Sequence, residues 1–163
     1  MTEANVLKFV KSNKPMAEIS FLLIKRLVMR DGSIIFISVE KPHRYMSYIL
    51  AMHRVPQRKI TYVDLGGALT VKFPITFLNH GNVRIGGFLK RDVIVLKDYS
   101  FIIIDNVEHL CHIWREETVS EWIKDIKEAA AKYNVLVFAP VRADKCKNVL
   151  SLGEIVSIEE VMK

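Results

Sequence analysis

The chain has 163 residues, half of them hydrophobic, with 24 Lys and Arg against 18 Asp and Glu and a formal net charge of +6. This length fits one domain able to bury roughly 70% of its unfolded surface, and no apolar run reaches the roughly 18 residues that span a bilayer. Two cysteines, Cys111 and Cys146, are too few for a disulfide framework, so buried thiols are expected.

The first strong element is Met16 to Arg30, whose apolar Ile19, Leu22, Leu23, Leu27 and Met29 cover most of a helical circumference. Asp31-Gly32 predicts its end, with glycine just past the last turn. Upstream, Asn5 to Val10 is too short to declare itself and reads as a vestigial strand or as helix. Ser33 to Val39 is a continuous, β-branched run, the mark of a strand covered on both faces. Pro42 opens a second helix through about Arg54. Lys59 to Leu65 predicts a strand halted by Gly66-Gly67. From Ala68 to Lys97 the pattern is ambiguous: Val83 to Phe88 and Val93 to Leu96 read as short strands or as a loop with a small helix. Phe101 to Ile104 is a buried strand that delivers Asp105 at its end. Glu117 to Tyr133 is amphipathic, with Val119, Trp122 and Ile126 on one side, and Asn134 ends it. Val135 to Ala139 is a further buried strand, and Glu154 to Ile158 a last one at an edge. Helices alternating with apolar strands predict one α/β domain over residues 1–163, a three-layer, mainly parallel sheet with helices on both faces.

The order Ile37-Ser-Val-Glu40-Lys41-Pro42, then Val63-Asp64, then Ile102-Ile-Ile-Asp105, then Val135-Leu-Val-Phe138 and Gly153 to Ile158 resembles the RecA-like ATPases, and within them the archaeal KaiC-type group. The resemblance covers the chain from about Met16 onward and implies a RecA-like core in which Asp105 stands where the metal-holding aspartate would. It departs at the phosphate loop. G-x-x-x-x-G-K-[ST] occurs nowhere, and Phe9 to Met16 contains no glycine, so backbone amides lack the freedom to cradle phosphate. The acidic pair that would activate water becomes Glu40-Lys41, one carboxylate beside a cation, which weakens it as a base. Together these imply a pseudo-ATPase, with neither ATP nor magnesium expected as a cofactor.

Glu40 and Asp105 are the candidate catalytic carboxylates, with plain strand-end charges as the alternative. Lys11, Lys14 and Asp105 are candidates for residual nucleotide contact, lysine acting as a point charge. Lys41, Arg44, Tyr48, Arg54, Arg58 and Lys59 form a basic, tyrosine-bearing stretch suited to nucleic acid, unless it is simply a solvated helix face. Glu108-His109-Leu-Cys111-His112 is too compact to converge on one ion and lacks a second cluster, so no metal is expected. The amino terminus lacks the features of a secretory signal, and a cytoplasmic domain is expected. Its apolar surplus would be covered by self-association or by an active RecA-like homologue. The expected role is protein interaction or regulation, the alternatives being a nucleic-acid-binding protein or a weak nucleotide-binding enzyme.

Overall fold

In the computed structural model, which describes residues 5–64, 75–77, 82–85 and 93–163, the chain begins with a strand, β1 (Leu7–Lys11). There follow α1 (Met16–Met29), β2 (Ile34–Ser38), α2 (His43–Met52) and β3 (Ile60–Asp64). Three short strands, β4 (Ile75–Phe77), β5 (Asn82–Ile85) and β6 (Val93–Val95), form a separate antiparallel sheet. The chain then runs through β7 (Phe101–Ile104), α3 (Val107–Ile113), α4 (Glu116–Lys132), β8 (Leu136–Val141), α5 (Lys147–Leu150), β9 (Glu154–Ser157) and α6 (Ile158–Met162).

The main sheet has the order β3-β2-β7-β8-β1-β9, and every pairing in it is parallel. Alternate residues of each strand face opposite layers. Ile35, Ile37, Ile102, Ile104 and Val137 pack under α3, α4 and α5. Ile34, Phe36, Ile103 and Phe138 pack under α1, α2 and α6. Because both faces are covered, every residue of β2 is buried, which is why Ile34 to Ile37 is an unbroken apolar run before Ser38.

Several expectations need correction. Asn5 to Val10 is neither vestigial nor helical: β1 is an interior strand, with Leu7, Phe9 and Val10 fully enclosed between β8 and β9. Its two lysines disguised it. Within the ambiguous stretch the described residues are the three antiparallel strands and the start of a short 3-10 helix, Leu96–Asp98, whereas Leu65, Gly66-Gly67 and Ala68 lie outside the described residues. The turn after α1 divides its labour differently from the expectation. Asp31 takes the left-handed conformation (φ 60°), and Gly32 is required because a side chain there would collide with the Phe101 ring. Cys111 and Cys146 are not free thiols but a disulfide, with Cα atoms 6.3 Å apart. Spacing in sequence carries no information on that pairing; the fold brings α3 against the turn before α5.

The crossovers after β1 and β2 run over the α1/α2 layer, and those after β7 and β8 over the opposite layer. At β2/β7 and at β8/β1 neighbouring strands therefore send their chains to opposite sides, which opens a crevice at their carboxyl ends.

Candidate functional site

A cleft of about 310 Å³ occupies that crevice, lined by Pro15, Met16, Ser38, Glu40, Lys41, Tyr45, Asp105, Asn106 and Arg142. The predicted carboxylates do meet here. Asp105 follows β7 and is fixed by its N–H donating to the Ile37 carbonyl (2.9 Å). Its Oδ1 accepts a hydrogen bond from Ser20 Oγ (3.1 Å), and Ser20 is fully buried on the inner side of α1. Burial holds the Asp105 carboxyl above its ordinary value of 3.8. The Ser20 hydrogen bond opposes this, Glu40 adds to the rise and Lys41 counters it.

Glu40 Oε2 accepts from Asn106 Nδ2 (3.2 Å), and Asn106 Oδ1 accepts from His109 N (3.1 Å), capping α3. Asn106 rather than Asp105 is thus the cap of the strand-end turn. The two nearest cations are also engaged. Lys41 Nζ sits 4.2 Å from the centre of the Tyr45 ring, and Arg142 Nη1 donates to the Ser12 carbonyl (2.9 Å).

The Arg142 contact clamps the loop 12–15, where a phosphate grip would be sought. Lys14 N donates to Ser12 Oγ (3.1 Å), and Lys14 Nζ pairs with Glu18 (3.4 Å). None of the described non-glycine residues with positive φ lies in this loop, so it forms no left-handed nest of amides. Neither Lys11 nor Lys14 lines the cleft.

The basic stretch lies on α2 and the turn after it. Arg44 and Tyr48 share its outward face and are exposed, while Met46 and Leu50 are buried beneath. Arg54 and Arg58 are exposed in the turn. Lys59 is drawn away from the others to Asp31 (2.6 Å), and its hydrogen bond and charge hold the Asp31 carboxyl below its ordinary value.

In the segment around Glu108, His109 and His112 the structural side chains are those of Glu108 and Cys111. The Glu108 carboxylate accepts from the backbone N–H groups of Arg142 (2.5 Å) and Lys145 (3.4 Å), and Cys111 is spent in the disulfide. Among the described residues no group of three or more His, Cys, Asp or Glu is placed to hold a metal ion. No helix among them is long and apolar enough to cross a membrane.

Ser20, Asn106 and Arg142 escaped the sequence reading. Ser20 carries a usable signal, a lone hydroxyl on the apolar side of a helix, and Asn106 another, a capping residue directly before a helical turn. Arg142 carries none, since only the fold sets β8 beside β1. Compared with known proteins, the chain matches no protein-family model and no curated protein sequence.

Proposed function

We propose that this is a RecA-like domain of the KaiC type with a degenerate nucleotide site, acting by association rather than catalysis, as an interaction or regulatory subunit. The observation that carries the reading is the closed loop 12–15, held by Arg142 and by its own Ser12 and turned outward at Lys14. Phosphoryl transfer relies on positioned charge, from a backbone nest, a lysine and a metal held partly by a loop hydroxyl. Here the hydroxyl that meets Asp105 belongs to Ser20, fully buried within α1, and not to the loop. Loss of one such electrostatic element costs on the order of 10²–10³ in rate, and several are missing together. RecA-like cores assemble side by side, and a member without its phosphate loop retains a surface for copies of itself or for an active homologue.

Calorimetry with Mg-ATP is expected to give no binding tighter than roughly millimolar, with phosphate release at background. A micromolar affinity abolished by Asp105→Ala would overturn the reading and make the cleft an enzyme site. Sedimentation at micromolar concentration is expected to give a dimer or larger species, and a strict monomer removes self-association.

A further inference from the structure

We propose that the outward face of α2, with the turn that follows it, is a docking surface for single-stranded nucleic acid. The inference does not rest on the proposed function: Arg44, Tyr48 and Met52 lie outside the cleft, although Tyr45 borders both the cleft and this face. Charge is segregated here as nowhere else in the described chain. From Lys41 to Val63 there are five Lys and Arg and no acidic residue. By contrast α4 interleaves both signs along its length. Lys59 is neutralised by Asp31, but Arg44, Arg54 and Arg58 are exposed and have no salt-bridge partner among the described residues.

The aromatic groups are arranged to complement that charge. Met46 and Leu50 anchor α2 to the sheet, which turns Tyr48 (69% exposed), Met52 (65%) and Tyr45 (45%) into solvent. Large rings held in water contribute little to a core, whereas they offer stacking faces that any base can use. Beside them, Phe21, Tyr45, Ile49 and His53 line a groove of about 410 Å³ between α1 and α2, with Phe21 and His53 in ring contact at 4.8 Å. The surface is also preorganised. Gln57 accepts from Ser47 Oγ (2.8 Å) and donates to the Ser47 carbonyl (3.0 Å), fixing the turn that carries Arg54 and Arg58 against the helix. Phosphates would meet the arginines while bases stack on the tyrosines. A duplex, with its bases already stacked, satisfies only the first half of that recognition, and so does an acidic peptide.

The test is fluorescence anisotropy of a labelled 20-residue oligothymidylate at low salt. Binding is expected, with log K falling against log[salt] at a slope of about −2, some 0.7 for each of three arginine–phosphate contacts. Tyr48→Ala is expected to weaken binding about tenfold, and Arg44→Glu to weaken it and flatten the salt slope. Both positions are exposed, so unchanged thermal melts verify the fold. The proposal is overturned by absence of binding, by indifference to Tyr48→Ala, or by a duplex of equal length binding as well. Equal competition from polyglutamate or phosphatidylserine vesicles would also overturn it.

Discussion

On one side of the sheet α3, α4 and α5 are cross-tied to one another and to the loops between them. The Cys111–Cys146 disulfide joins α3 to the turn before α5, and Glu108 of α3 holds two backbone amides of that turn. Glu116 Oε1 at the start of α4 accepts from Asn148 N (2.8 Å), and Trp122 packs edge-on to Trp114 at 6.4 Å. On the other side α1, α2 and their turns have ties of their own, from Ser47 to Gln57, from Lys59 to Asp31 and between the Phe21 and His53 rings, but none of these is covalent. Ser20 reaches Asp105, Arg26 reaches the carbonyl of Lys163, and Met29, Tyr45, Tyr48 and Met52 remain in water. The difference teaches where each layer's residues are committed. One layer is locked by a covalent cross-link; the other carries the most exposed large hydrophobic side chains among the described residues, Met29, Tyr48 and Met52.

The sharpest way to break the comparison is a paired truncation. Trp122→Ala removes a ring that is 3% exposed from the tied layer and should cost about 3–5 kcal/mol. Tyr48→Ala on the open layer should change stability by no more than about 0.5 kcal/mol. Chemical denaturation of both variants checks this, and similar losses would refute the division of labour. Next in size is the disulfide, which closes a loop of sequence separation 35. The double variant Cys111→Ser/Cys146→Ser, or reduction of the native protein, should lower stability by about 2–4 kcal/mol. A reduced protein that melts with the oxidised one would show that Glu108 alone secures the turn.

The smallest effect concerns Asp105. Its folded carboxyl titrates above the ordinary value of 3.8. The unfolded chain therefore releases that proton first, and the contribution to stability is fully present below 3.8 and declines as pH rises through the folded value. Asp105→Asn retains an acceptor for Ser20 without the charge. Its melting temperature should exceed that of the native protein at neutral pH, by a margin that shrinks as the pH falls toward 3.8. Melts across that range check the slope, and a pH-independent difference would refute the assignment.

Much of the central architecture was legible in sequence because burial on both faces forces unbroken apolar runs. Ile34 to Ile37 and Phe101–Ile104 are such runs, and the edge strand Ile60–Asp64, with Thr61 and Tyr62 half-buried, declared itself by its β-branched and aromatic residues. The convergence of Glu40 and Asp105 followed from the parallel crossovers alone. β1 was obscured because Lys8 and Lys11 interrupt its pattern, and α3 because its histidines and cysteine drew a chemical reading that hid a capped turn begun by Asn106. The Ser157-x-x-Glu160 capping box that starts α6 was there to be read. The partners of Ser20, Arg142 and Cys111 were not, since each depends on segments far apart in the chain that only the closed sheet brings together.

The interior position of β1 also sets a timetable. Its neighbours are β8 and β9, and Lys8 pairs with Glu154, 146 positions further along. During synthesis Leu7, Phe9 and Val10 emerge before the other strands of this sheet and wait, apolar and without strand partners, until β8 and β9 have been made. Closing so distant a pairing is the slow step in such topologies. The half-made chain is consequently the aggregation-prone species, and the sheet becomes continuous only when its oldest strand is captured by its youngest two.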